Sequence, residues 1–180
     1  MSRKTVAIAA LLVLAISSQW ARAADPFDFR KVRWGMPRDQ VMRTESGVHY
    51  GSVGNGEVYT VRMYDREMYV IYEFGDNGLD RVAATVSEDP GSPDWYVQTY
   101  RSLQTSLSQK YADPDNASCD CRGEGSKKAW LRTPGRAVAS GMCRCLSTWT
   151  TDRSDVRLFL RKGRDGIDVG VSLKPRDGNP

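Results

Sequence analysis

The sequence has a single histidine, His49, and this scarcity excludes several kinds of catalytic site. One histidine cannot supply a multi-histidine zinc centre or the HExxH motif of metalloproteases. The Gly-rich stretch 51–56 lacks the lysine and the following helix of a phosphate-binding loop. No spacing of acidic residues singles out a pair suited to acid–base catalysis. We therefore expect neither enzymatic activity nor a cofactor.

Long apolar runs are absent except at the N-terminus, where residues 6–16 form an uninterrupted run behind Arg3 and Lys4. A membrane-spanning helix needs about 20 apolar residues. The run is shorter and precedes small residues at positions 21 and 23, a pattern typical of a signal peptide. We predict that residues 1–23 are cleaved, that no transmembrane segment remains, and that the protein is periplasmic or secreted.

Charge is divided unevenly along the chain. Residues 24–100 carry eight basic and thirteen acidic groups, whereas residues 101–180 carry fifteen and nine. A chain with an acidic half and a basic half does not suggest nucleic-acid binding. The basic half predicts either an anionic partner in the cell envelope or pairing with the acidic half of the same fold.

Local patterns predict a mixture of helices and strands. A short helix is expected over 37–45, and a long one from Pro93 to residue 111 with Ser92 as its N-cap. Residues 112–126 are expected to form a loop. Strands are predicted over 57–64, 68–74, 79–86, 127–132, 142–150, 156–162 and 167–173, because apolar residues alternate or cluster there.

Two similar turns, at 75–80 and 163–168, suggest an internal repeat. We therefore predict an α+β fold of two helix-plus-antiparallel-meander repeats, about 29–89 and 92–174, with the helices packed on one face of a β-sheet. Residues 24–174 would form one domain, and 175–180 a flexible tail.

The first predicted helix is opened by Trp34-Gly35-Met36-Pro37, with Val41 on its inner side, and a strand–turn–strand follows at 72–79. These segments resemble the SmpA/OmlA outer-membrane assembly lipoproteins and, distantly, the β-lactamase-inhibitor-like fold. The resemblance implies an α+β fold that hosts protein-binding roles rather than one chemistry. Unlike those lipoproteins, this chain has no cysteine to carry a lipid at the predicted cleavage site.

The four cysteines form two Cys-x-Cys motifs, Cys119 with Cys121 and Cys143 with Cys145. On a strand, residues two apart share a face, so two facing motifs could form two disulfides or a four-thiolate metal site. Zinc motifs usually space paired cysteines by two to four residues, and exported proteins meet oxidising conditions. Alternate residues of one strand lie about 7 Å apart, which is too far for a disulfide within one motif. We therefore predict bridges between the motifs, 119–145 and 121–143, if the segments are antiparallel. A metal-binding or thiol-redox protein using both motifs is the alternative function.

The predicted strand 156–162 has two different faces. Its alternation separates Val156, Leu158 and Leu160 from Arg157, Phe159 and Arg161. Arg, Phe and neighbouring Tyr side chains are typical of recognition surfaces, although Phe159 in the core under extended arginines is the alternative.

We predict an exported periplasmic binding or envelope-assembly accessory protein. It would dock another envelope protein or an anionic envelope polymer through a sheet face rich in Tyr, Phe and Arg. A purely structural envelope protein without a discrete site is the third hypothesis.

Overall fold

Eight antiparallel strands form one continuous sheet in the part of the chain that the computed structural model describes, residues 28–176. Their order across the sheet is β1-β2-β3-β4-β8-β7-β6-β5. The strands are β1 (Val48–Val53), β2 (Gly56–Met63), β3 (Arg66–Gly75), β4 (Gly78–Val86), β5 (Asn116–Cys121), β6 (Cys143–Thr150), β7 (Ser154–Lys162) and β8 (Ile167–Pro175). The helices are α1 (Arg38–Thr44), α2 (Pro93–Tyr111), α3 (Gly123–Arg132) and α4 (Pro134–Ala139).

The predicted division into two helix-plus-meander repeats is wrong. The structure has about 45% strand and 28% helix and is dominated by the single sheet. The two halves of the chain merge because β4 pairs directly with β8, where Val82 lies opposite Leu173 and Ala84 opposite Val171. These four side chains are buried in one shared core. Each half therefore lacks a separate core of its own.

Several predicted boundaries are also wrong, mainly where strands lie at the edges of the sheet. Residues 127–132, predicted as a strand, belong to α3, and the predicted loop 112–126 contains β5. Strand β1 was not predicted. Both edge strands leave most of their side chains exposed, so they lack the alternating pattern that identifies a half-buried strand. Residues 127–132 form a helix rather than the predicted strand because Lys127, Lys128, Ala129 and Leu131 are residue types that favour helix.

The two helices with clear sequence signals are confirmed. Helix α1 lies within the predicted range 37–45, and α2 begins at Pro93 directly after Ser92. Strand β8 continues to Pro175, one residue into the predicted tail. The predicted signal peptide and residues 177–180 lie outside the described residues.

The helices contact one face of the sheet. The Tyr100 hydroxyl of α2 lies 2.7 Å from the Ser147 hydroxyl of β6, and Arg38 of α1 lies over the ring of Phe74. The side chains of this face form the core, including fully buried Val156, Leu158 and Leu160. The alternate residues lie on the opposite face, which we call the open face. On β6 to β8 it carries Arg144, Leu146, Thr148, Thr150, Asp155, Arg157, Phe159, Arg161, Asp168, Gly170, Ser172 and Lys174.

Candidate functional site

The three residues predicted to bind a partner lie together on β7. Arg157 is exposed, Phe159 is half-buried, and the Arg161 side chain is 61% exposed. All three share the open face because the alternate residues, such as Leu158, are fully buried beneath the helices. Helix α2 therefore packs on the side of the sheet away from the Phe159 ring.

Phe159 lies at the centre of a small apolar strip. Leu146 is directly opposite it on β6 and is 37% exposed. The Arg161 guanidinium lies 5.0 Å from the ring centre, a cation–π distance. On the other flank the opposite residue is Gly170 of β8, which has no side chain to cover the ring. The strip therefore combines an accessible aromatic ring with an aliphatic neighbour.

Cationic groups surround this strip. Arg157 lies opposite Thr148 and Ser172, and within residues 28–176 it has no ion pair. Arg161 lies opposite Asp168, but the nearest nitrogen–oxygen distance is 3.7 Å, and both side chains are exposed. Exposed pairs of this kind contribute little free energy. The guanidinium charges at this site are consequently available to an external anion.

The predicted enrichment in tyrosine is confined to the other end of the open face. Tyr50 of β1 and Tyr69 of β3 contact each other there, with ring centres 5.4 Å apart. Tyr50 and its neighbour Val48 are 72% and 74% exposed. Three other aromatic residues on strands, Tyr59, Tyr72 and Trp149, are buried in the core.

Sequence reasoning missed Arg144 and Leu146, which complete the site from β6. Their positions alternate with Cys143 and Cys145, both buried on the helix-covered face. That alternation was visible in the sequence. Once the cysteines are assigned to the covered face, Arg144 and Leu146 must point to the open face.

All four cysteines are paired as two disulfides, Cys119–Cys145 and Cys121–Cys143. This is the pairing predicted for antiparallel segments. The partners lie directly opposite each other on β5 and β6, with Cα atoms 4.0 and 4.2 Å apart. The bridges attach the edge strand β5 to the sheet. The oxidised sulfurs are not thiolate ligands, and a thiol-redox role stays a prediction.

His49 has a partner that the sequence did not reveal. Its Nε2 atom lies 2.8 Å from Oε2 of Glu57, a buried carboxylate that also binds Arg38. The Ser52 hydroxyl donates to the same oxygen of Glu57 at 2.8 Å and not to His49. A serine nucleophile needs its base within hydrogen-bond reach, so this arrangement does not form a nucleophile–base pair. Burial alone would raise the pKa of Glu57, but the bonds from His49, Ser52 and Arg38 lower it.

A second buried carboxylate, Glu45, joins the N-terminal turn to the sheet. Arg30 donates two hydrogen bonds to it at 3.0 and 3.1 Å, and the Gly47 amide donates another at 2.8 Å. The Tyr72 hydroxyl donates a further bond. Burial raises the pKa of Glu45, and these donors outweigh burial so that the net pKa is lowered. The cluster is fully satisfied internally and serves the fold.

The motif that carries the family resemblance closes the core. Gly35 has a left-handed φ of 75°, its amide donates to the Leu79 carbonyl at 2.8 Å, and the Leu79 amide donates to the Met36 carbonyl at 3.0 Å.

Among residues 28–176, no helix has the length and apolar character needed to cross a bilayer. Comparison of the chain with protein-family models, curated proteins and solved structures finds no match.

Proposed function

We propose that this protein is an exported accessory protein of the bacterial cell envelope that docks an acidic surface of another envelope protein. The docking surface is the part of the open face formed by β6 and β7. Phe159 and Leu146 form its apolar centre, and Arg144, Arg157 and Arg161 its cationic rim.

The observation that carries this proposal is the partial exposure of an arginine-rimmed aromatic residue, Phe159, on an uncovered sheet face. Phe159 lies outside the core, whereas its sequence neighbours Leu158 and Leu160 are fully buried in it. Aromatic and arginine side chains provide much of the binding energy of protein interfaces, especially where an apolar centre is surrounded by polar groups. The unneutralised guanidinium of Arg157 favours an acidic partner.

Two further features support an envelope location. Disulfides persist in oxidising compartments such as the periplasm, and both bridges are formed here. The N-terminal sequence has the features of a secretory signal. The resemblance of 29–41 and 72–79 to outer-membrane assembly lipoproteins agrees with a binding role in that compartment.

Site-specific photo-crosslinking in cells of the source organism tests the proposal. A benzophenone amino acid is placed at position 159 or 146 on the open face, and at position 128 as a control. Lys128 is exposed on α3, on the helix-covered side. We expect an adduct of discrete mass from positions 159 and 146 but not from 128. Equal adducts from all three positions, no adduct at 159 and 146, or a polydisperse adduct of a polymer would contradict the proposal.

Charge reversal then tests the acidic character of the partner. Arg157→Glu with Arg161→Glu should reduce the adduct at position 146 strongly, because the variant repels an acidic surface. Arg101→Glu with Lys128→Glu provides the matched control, since it changes the net charge equally and both residues are exposed on helices. An adduct that resists the double reversal would show that docking does not depend on an acidic partner.

A further inference from the structure

A basic groove of about 610 Å³ lies at one end of the sheet, where β5 and β7 end and β6 begins. Four basic residues line it, and the acid among its lining residues is Asp120. The cations are Arg122, Arg144, Arg161 and Lys162. The groove therefore carries a formal charge of about +3 before any ligand is considered.

The charges of the groove are poorly neutralised by the protein. Within residues 28–176, Arg122, Arg144 and Lys162 have neither an ion pair nor a side-chain hydrogen bond. Asp120 is the register partner of Arg144, yet the two form no ion pair.

Arginines also lie side by side at this end of the sheet. Cys145 is opposite Leu160, so the residues next to them, Arg144 and Arg161, are neighbours across β6 and β7. Arg161 reaches Asp168, on the far side from the groove, only at 3.7 Å. Like charges placed opposite each other on a sheet destabilise it. Among the described residues, Arg161 is compensated only by the exposed Asp168 and the Phe159 ring, and Arg144 has no ion pair, so this arrangement favours an external anion.

The groove is built from fixed parts of the chain. The disulfide between Cys121 and Cys143 lies in its wall, immediately beside Arg122 and Arg144. The Arg122 amide donates to the Met142 carbonyl at 3.0 Å. The Lys162 side chain packs beside Gly141, which has a φ of 75°. A Cβ at position 141 would lie only 3.3 Å from Lys162 Cδ, so the absence of a side chain there leaves room for the lysine. Because the covalent bridge fixes the backbone of the groove, ligand binding has to order only the cationic side chains.

We propose that this groove binds a phosphate monoester carried by a larger molecule. The planar forks of arginine match the oxygens of a phosphate, and lysine adds a point charge. A phosphate dianion suits the surplus positive charge better than a single carboxylate does. The groove is larger than one phosphate group, so part of the attached molecule also fits.

This inference goes beyond the proposed function and does not rest on it. Arg144 and Arg161 border both sites, whereas Arg122 and Lys162 lie in the groove alone, so substitutions at Arg122 and Lys162 leave the Phe159 docking surface unchanged. Failure of one proposal therefore leaves the other standing. The shared ligand chemistry has two sources, a soluble phosphate ester and a lipid headgroup.

The test measures binding by the disulfide-bonded mature protein at low salt. Calorimetry with glucose 6-phosphate probes a soluble ester, and co-sedimentation with phosphatidylcholine vesicles containing phosphatidic acid probes a lipid headgroup. The variant Arg122→Gln/Lys162→Gln should weaken binding of the responding probe at least about tenfold, because it removes two charge-assisted contacts. Lys127→Gln/Lys128→Gln is the matched control, since both lysines lie on α3 outside the groove.

Saturable binding of glucose 6-phosphate that is weakened in the groove variant supports the proposal and assigns a soluble ligand. Binding of phosphatidic acid vesicles alone, with the same loss, supports it and assigns a lipid headgroup. Absence of binding to both probes overturns the proposal. Equal weakening by the control variant overturns it as well, because binding would then reflect only the total charge. Circular dichroism spectra and melting temperatures show whether each variant is folded, and Arg122→Gln alone provides a second groove variant that leaves the docking surface unchanged.

Discussion

The Arg161 guanidinium lies 5.0 Å from the ring centre of Phe159, which is two residues earlier on the same strand. The ring therefore has a cation on the open face of the sheet, while Leu160, which lies between Phe159 and Arg161 in the sequence, is fully buried on the other face. Neighbouring residues of β7 thus have different roles. One set holds the helices on the sheet, and the other is available to a partner.

Alanine substitutions at Leu158 and Phe159, which are adjacent on β7 but on opposite faces, should separate stability from binding. Leu158→Ala should lower the free energy of unfolding by about 2–5 kcal/mol, because it leaves a cavity in the core. Phe159→Ala should cost less than half as much and should abolish the photo-adduct formed from position 146. Urea denaturation followed by circular dichroism measures both costs. Equal destabilisation by the two variants would mean that Phe159 is a core residue.

The two disulfides should stabilise the protein non-additively. Their cysteines are 26 and 22 residues apart, and each bridge alone attaches β5 to β6. Replacing all four cysteines by serine should therefore cost about 3 kcal/mol. Replacing Cys119 and Cys145, or Cys121 and Cys143, should each cost less than half of that, because the remaining bridge still closes the loop. Denaturant titrations of the three variants test this, and strictly additive costs would contradict it.

Acid should destabilise the protein through its buried carboxylates. The pKa of Glu45 and of Glu57 is lowered in the folded state from an ordinary value of 4.5. The unfolded chain then binds more protons as the pH falls below that value, so the stability from these groups is present above pH 4.5 and is lost as the pH falls through the folded pKa values. Glu45→Gln and Glu57→Gln should each flatten the dependence of unfolding free energy on pH in this range. Profiles parallel to that of the wild type would refute the assignment.

Gly78 should tolerate substitution less well than Gly54. Both have a left-handed backbone, with φ values of 96° and 59°, and alanine pays about 1–2 kcal/mol for that conformation. A Cβ at Gly78 would also overlap the Gly35 carbonyl, whereas none of the surrounding atoms approaches a Cβ at Gly54 within 4 Å. Gly78→Ala should therefore lower the melting temperature clearly more than Gly54→Ala does. Similar melting temperatures would show that the contact with Gly35 is not required.

The sequence alone determined those elements whose signals are local. Ser92 and Pro93 predicted where α2 begins, because capping is a local property of the chain. The alternation of β7 assigned Leu158 and Phe159 to opposite faces, because strand periodicity is local as well. The spacing of the Cys-x-Cys motifs limited the disulfides to pairing between strands, because two residues on one strand are too far apart to be bridged.

Only the tertiary structure decided how the two halves combine. The pairing of β4 with β8 joins them into one sheet, and no local pattern in Val82 or Leu173 specifies that partner. The edge strand β1 is held by hydrogen bonds to β2, and β5 is held by hydrogen bonds and two disulfides to β6, rather than by burial of their own side chains. The basic groove likewise brings Arg122, Arg144 and Lys162 together from three separate strand ends. Contacts between residues distant in the chain depend on register and packing, which the periodicity of a single segment does not encode.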